Sequence, residues 1–324
     1  MSWILALALS LIPTAGWSTI LIYSSIDAQE VPVYVKAFKD KTGIDVKWVR
    51  LSAGETIARM EAEKKNPQAT VWFGAPSPEF ITAKKKGLLE AYKPTLDYDL
   101  KASYRDKDWA WTGIYFGAIA FAVNEKYLEK KGLKAPETWE DLLKPEFKGQ
   151  ISMAYPYTSG TAFTIVSGIL QKLGDEKGWD YLKKLDGQIH HYNKSGSAAV
   201  TQVGLGEVAV GITFSQDIMI KGKSAGYPVA MFVPKDGTTS ETGGVALIKG
   251  GKNPEIGKQF IDFYVSKEGQ EILKKHLRVP LHPQVAAPEG AAAPGKTKLI
   301  AFNPEKASDQ QKEILDKWRR ITAR

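Results

Sequence analysis

The 324 residues contain no cysteine. Disulfide staples, thiolate nucleophiles, cysteine metal sites and a cysteine-linked lipid anchor are therefore excluded from the reading. Histidine is scarce: only His190, His191, His276 and His282 occur, and none stands in an HExxH spacing. His190 and His191 are neighbours in a predicted strand and face opposite ways, so they suit structural roles better than a shared metal. There is no Gly-x-Ser-x-Gly elbow, no Walker loop and no Ser/His/Asp order of catalytic type. Gly204–Glu207 reads as a helix end and turn, and the carboxylates Asp236 and Glu241 have no supporting pattern. No enzyme activity, cofactor or resident metal is expected. Long apolar runs are also missing, since Trp3–Ile12 falls short of the roughly 20 residues that a spanning helix needs.

What is present reads as an exported globular chain. Hydrophobic residues at 43% and charged residues at 25% suit a packed protein with room for two domains. The net charge of +8 reads mainly as solvated helical faces, with Lys84-Lys85-Lys86 beside acids, and adds a mild attraction for anions. No basic stretch is interleaved with aromatics on a nucleic-acid module, so no nucleic-acid partner is expected. Residues 1–18 carry the apolar run, then Pro13 and the small residues Ala15 and Gly16. They read as a signal peptide, which predicts a periplasmic or other extracytoplasmic protein.

From Thr19 onward, strand and helix patterns alternate. Strands are predicted at Thr19–Ser24, Ile44–Leu51 and Ala69–Phe73, with helices at Ala28–Thr42 (closed by Gly43), Gly54–Lys65 and Pro78–Lys86. A long strand-rich run, Trp109–Val123, leads into a second series beginning at Ile151, with a further strand at Pro228–Pro234 and a last helix at Asp309–Thr322. The Ala/Pro/Gly stretch at 286–295 reads as a surface loop. The fold class expected is α/β, with two doubly wound lobes joined by two crossover strands. Lobe 1 is assigned 19–119 and 228–324, and lobe 2 is assigned 120–227.

One feature recurs where strands give way to helices: small hydroxyl residues. Ser24 and Ser25 precede the first helix, and Ser52 opens the second with Glu55 in a capping-box pattern. Ser77, after Gly74, Ala75 and Pro76, is expected to cap the third with Pro78 at its first position. Ser159-Gly160-Thr161 opens the long helix of the second series, and Ser195-Gly196-Ser197 opens another. Each is an ordinary N-cap taken alone. Five such termini on the carboxyl edges of two sheets could converge on one anion, because free N–H groups and the helix dipole favour negative charge there. Trp72, Trp111, Tyr115, Tyr155 and Tyr157 are candidate pocket aromatics, with burial in the core the more ordinary role.

Several segments carry a family resemblance: YSSIDAQEV at 23–31, FKDKTGI at 38–44, WFGAPS at 72–77, YPYTSGTAF at 155–163, GEVAVGITFSQDI at 206–218 and RVPLHPQV at 278–285. Through them the chain after residue 18 resembles the periplasmic solute-binding proteins of type II, in the ferric-iron/organophosphate branch. The resemblance implies a monomeric receptor that closes on a small-molecule anionic ligand and delivers it to an ABC permease in the inner membrane. Iron-binding members of that branch carry two neighbouring tyrosines where this chain has Ser215, Gln216 and Asp217. The resemblance therefore implies an organophosphate, sugar phosphate or phosphonate as ligand, bound by Ser24, Ser159, Gly160, Thr161, Ser197 and Asp217, with Ser25, Ser52, Ala75, Ser77, Ser195 and Gln216 as further candidates. Gln216 stands where hexose-phosphate binders have histidine. A ferric-iron ligand, with Tyr155, Tyr157 or Tyr192 supplying phenolates, is the alternative.

Overall fold

The computed structural model describes residues 19–222 and 226–322. The expected signal peptide lies outside the described residues. Eleven strands are found among them: β1 (Ile20–Ser24), β2 (Val46–Arg50), β3 (Val71–Pro76), β4 (Leu89–Glu90), β5 (Thr112–Asn124), β6 (Ile151–Ala154), β7 (Ile189–Asn193), β8 (Val210–Phe214), β9 (Val229–Phe232), β10 (Ser240–Ile248) and β11 (Val279–Pro280). The main strand order is β2-β1-β3-β10-β5-β8-β6-β7. Parallel pairs β1/β2 and β1/β3 lie in one half, and β6/β7 and β6/β8 in the other. Antiparallel β5 joins them: residues from Thr112 to Ala118 pair with β10, and Ile119–Val123 pair with β8. All thirteen residues of β5 are buried, because other strands or helices cover both its faces and both its edges.

The first half takes α1 (Val31–Thr42), α2 (Ala53–Ala62) and α3 (Ser77–Lys85) between its strands. Strand alternation sorts the β1 side chains: Ile20 and Ile22 pack with Tyr34 and Phe38 of α1, while Tyr23 packs with Ile57 and Met60 of α2. α4 (Glu125–Lys131) follows β5. In the second half, α5 (Gly160–Leu173) and α6 (Asp175–Asp186) cover one face, and α7 (Ala198–Leu205) covers the other. A short helical turn, α8 (Ser215–Asp217), follows β8. α9 (Pro254–Val265) and α10 (Lys267–Lys275) return to the first half. This is the expected α/β architecture, helix-covered on both faces.

Helix and strand ends differ from the sequence reading in ways that matter for the site. α1 begins at Val31 with Glu30 at its N-cap, so Ser24 and Ser25 do not open it. A turn, Asp27–Glu30, intervenes, held by the Glu30 N–H donating to the Asp27 carbonyl at 3.0 Å. Ser77 is the first residue of α3 rather than its cap, which is Pro76, because the N-cap position takes the extended backbone that the proline ring already imposes. β9, which opens the segment 228–324 expected on the first lobe, pairs with Phe121–Asn124 at the far end of β5. In the loop 286–295, Ala292 and Ala293 are buried against Phe116 and Val279.

The expected last helix, Asp309–Thr322, forms over Gln311–Ile321, and a short helix that was not expected precedes it. α11 (Pro304–Asp309) docks on α3, with Ser308 Oγ 2.9 Å from Thr82 Oγ1 and Lys85 paired to Asp309 at 2.7 Å. α12 (Gln311–Ile321) inserts Ile314 and Trp318 into the core of the second half. Trp318 is fully buried. Trp318→Ala should therefore destabilise the fold by about 3–5 kcal/mol, the usual cost of emptying a buried tryptophan site. Urea denaturation followed by circular dichroism measures it.

Candidate ligand-binding site

Strands of both halves end at one cavity, which is therefore lined by residues far apart in sequence. From the first half come Ser25 and Asp27 after β1, Arg50 at the end of β2, Ser52 at the start of α2, and Gly74 and Pro76 on β3. From the second come Ser159, Gly160 and Thr161 at the start of α5, Ser195 and Ser197 before α7, and Gln216 and Asp217 after β8. Tyr115 of β5, Glu241 of β10 and Arg278 beside β11 complete the wall. Ser24, Ala75 and Ser77 are off the wall. Ser24 is buried and its Oγ accepts the Ile26 N–H at 3.3 Å, Ala75 pairs within the sheet with Gly244, and Ser77 is buried in α3.

The hydroxyls at this cavity have different partners. Arg50 donates from Nη1 to Ser52 Oγ at 2.9 Å and from Nη2 to Ser195 Oγ at 2.7 Å. Ser52 in turn donates to the Lys194 carbonyl at 3.2 Å, and its N–H donates to the Glu55 carboxylate at 3.0 Å in a capping box. Ser197 donates to Asp27 Oδ2 at 2.8 Å. Asp27 also pairs with Lys221 at 3.0 Å. Ser159 caps α5 by accepting the Ala162 N–H at 3.4 Å. Ser25 accepts the Trp72 indole N–H at 3.0 Å. At the same edge Gly54 donates to the Thr158 carbonyl at 3.0 Å, and a side chain at 54 would collide with the Tyr157 backbone carbonyl, so only glycine permits the approach.

The charges fall into compensated and uncompensated sets. Arg278 is fully buried and grips Glu30 with two bonds, 3.0 Å from Nε and 2.9 Å from Nη2, while its guanidinium lies 4.4 Å over the Tyr115 ring. Burial pushes the Asp27 carboxyl upward, but Lys221, the Gln29 N–H and Ser197 together hold it below the usual carboxylate range. Arg50 forms no ion pair among the described residues. With the N-termini of α2, α5 and α7 it gives the cavity a positive, donor-rich wall. Asp217 and Glu241 add a carboxyl-rich wall. Burial pushes Asp217 up to about 6 against the opposing pull of Arg278. Burial, reinforced by the charge of Asp217, pushes Glu241 well above its ordinary value. Gln216 donates to Glu241 Oε1 at 2.6 Å, whereas Glu241 Oε2 is buried with no partner.

Sequence reasoning missed Asp27, Arg50 and Arg278 and set Glu241 aside. Arg50, at a strand end two residues before Ser52, was the most legible of them. Of the aromatic candidates, Tyr115 lines the cavity with its hydroxyl donating to the Gly74 carbonyl at 2.9 Å. Trp72 and Trp111 are core residues. Tyr155, Tyr157 and Tyr192 stack on one another outside the cavity, so the phenolates required for the ferric-iron alternative do not line it.

Residues 77–300 match the family described as bacterial extracellular solute-binding protein. The chain belongs to that family. It is a periplasmic solute-binding protein of an ABC importer, and no described helix is long and apolar enough to cross a membrane. The periplasmic binding protein AfuA of Actinobacillus pleuropneumoniae, solved with fructose 6-phosphate bound, superposes with a TM-score of 0.90. It is 36% identical, over 94% of this chain and 98% of that one. An uncharacterized protein of Haemophilus influenzae is 34% identical over 92% of this chain and 89% of its own length. A putative 2-aminoethylphosphonate-binding periplasmic protein of Salmonella typhimurium is 25% identical over 81% of this chain and 78% of its own. Solute-binding proteins of this family work with ABC permeases and bind small ligands.

Two predictions come from the buried charges. Glu30→Gln leaves the Arg278 guanidinium without its counter-charge and should cost about 3–5 kcal/mol, measurable by urea denaturation. The second concerns pH. Glu79, whose Oε2 is buried without a partner in the first turn of α3, is pushed up to about 8 by burial. Folded Glu79 and Asp217 thus hold protons that the unfolded chain releases near pH 4. Their contribution to stability is complete below pH 4 and is lost as pH rises through 6 for Asp217 and 8 for Glu79. The melting temperature of ligand-free protein should fall from pH 5 to pH 9, and Glu79→Gln should flatten the alkaline part of that decline.

Proposed function

We propose that this binding protein captures a small phosphorylated organic anion (a sugar phosphate, another organophosphate or a phosphonate) and carries it, as a monomer, to its permease. What supports this most is Arg50. It is a cationic side chain with no carboxylate partner among the described residues, and it faces a cavity that three helix N-termini also face. A phosphoryl group satisfies such a wall because its oxygens accept from the guanidinium, free backbone N–H groups and hydroxyls together. Asp217 and Glu241 are suited to the remainder of the ligand, where carboxyl oxygens accept from hydroxyl or amine groups. The fructose 6-phosphate in AfuA and the ligand named for the Salmonella relative both combine a phosphoryl or phosphonyl group with such a remainder.

In this reading the residues that touch ligand are Ser25, Ser159, Gly160, Thr161, Gln216 and Asp217, together with Arg50 and Glu241. Ser52, Ser195 and Ser197 stand on the same wall and serve chiefly to tie its two sides together. The lobes would hinge at Ala118–Ile119 of β5 and in the segment between β9 and β10, where hydrogen bonding passes from one half of the sheet to the other. Isothermal calorimetry on ligand-stripped protein tests the proposal with fructose 6-phosphate, glucose 6-phosphate, 2-aminoethylphosphonate, inorganic phosphate and ferric citrate. Heat is expected from at least one phosphorylated or phosphonylated organic compound and not from ferric citrate. Arg50→Ala should weaken that ligand by roughly 10- to 100-fold, the range for hydrogen bonds to a charged group. Absence of heat with every phosphorus compound would overturn the proposal.

A further inference from the structure

A serine hydroxyl has one hydrogen to give, so each serine at the cavity can be assigned by where that hydrogen goes. Ser52 gives its hydrogen to the Lys194 carbonyl and Ser197 gives its own to Asp27. Both are committed to protein acceptors. Ser25 differs. Its bond is to the indole Nε1 of Trp72 at 3.0 Å, and an indole N–H donates only. Ser25 Oγ is therefore the acceptor, and its hydrogen cannot point at Trp72.

The surroundings make that assignment rigid. Trp72 lies in the middle of β3, fully buried, with its ring 4.4 Å from that of Phe80 and packed beside Ala75. It is held from both sides along the sheet, because Trp72 is in register with Tyr23 of β1 and with Ala246 of β10. Ser25 is fixed by its own N–H, which donates to the Phe73 carbonyl at 2.9 Å. The indole that reaches Ser25 is itself off the cavity wall, whereas Ser25 is on it.

We propose that Trp72 is a positioning residue for ligand binding: its indole N–H occupies Ser25 Oγ as acceptor and so turns the Ser25 hydroxyl into a donor aimed at the bound anion. The proposal rests on the reading of the cavity as an oxyanion site. It makes Trp72, which does not touch the cavity, a determinant of affinity through Ser25 alone. A tryptophan serving only as core packing would show no such dependence.

The test is a double-mutant cycle measured by calorimetry with fructose 6-phosphate, 2-aminoethylphosphonate and inorganic phosphate. The variants are Ser25→Ala, Trp72→Phe and the pair together. A fourth protein carries benzothienylalanine at position 72, which keeps the bicyclic ring and lacks the N–H. Ser25→Ala should weaken binding by about 10-fold or more, and the two Trp72 replacements by about 3- to 10-fold, as for loss of one neutral hydrogen bond. Trp72→Phe should cause no further loss once Ser25 is alanine. Equal losses in both backgrounds, or unchanged affinity for the benzothienylalanine protein, overturn the proposal. Thermal melting separates an unfolded variant from a folded weak binder. If wild-type protein binds neither these three probes nor glucose 6-phosphate, the oxyanion reading fails and Trp72 loses this role with it. If wild type binds and Ser25→Ala is neutral, only the role given to Trp72 and Ser25 fails.

Discussion

Strand β5 is the constraint on which the rest depends. Its thirteen residues are buried without exception, so each backbone N–H and C=O must find a partner within the protein, chiefly on neighbouring strands. No single neighbour is long enough to supply them all. β10 and β11 serve the first part, β8 and β9 the second, and the change of partners falls at Ala118–Ile119. Two layered cores thereby share one continuous strand. The same change of partners leaves the carboxyl ends of β1 and β3 facing those of β6 and β8 across a cavity, which is where helix N-termini gather.

Electrostatics then divide the cavity. Arg278 is the most buried cation of the site, yet Glu30 neutralises it with a two-bond grip beneath the Tyr115 ring. It shapes the pocket and contributes little net charge. Asp27 and Lys221 likewise cancel across the cleft. Arg50 remains, and its two contacts are neutral serine hydroxyls, one from each side of the cavity. An anion entering the cavity would therefore meet one guanidinium with no counter-charge among the described residues, and a set of backbone donors rather than a cluster of cations. Such a site favours a compact, geometrically demanding group over any negative charge in general.

The recurrence of serine at strand ends was legible in the sequence, but its meaning was uniform there and is not uniform in the fold. Ser24 and Ser77 look like Ser25 and Ser52 by position. A single residue of offset places Ser24 inside the sheet and Ser25 on the cavity, because successive strand side chains alternate faces. Ser77 falls inside α3 since Pro76 already has the cap backbone. Glu241, unremarkable in a run of small residues, becomes a wall of the site because β10 pairs it opposite Gly117. The missing side chain at 117 leaves room for the Gln216 amide that bonds Glu241.

By itself the sequence determined the fold class, the helix-covered parallel strands of both halves and the crowd of hydroxyl residues at helix starts. Those follow from local periodicity and capping chemistry, which act within a few residues. Only the tertiary structure decided which of those hydroxyls share a cavity, that Arg50 has no carboxylate partner among the described residues while Arg278 has one, and that the tyrosines at 155, 157 and 192 stack away from the site. Those are relations between residues up to 248 positions apart, as in Arg278 and Glu30. Nothing in local propensity encodes them until β5 and its partners bring the strand ends together.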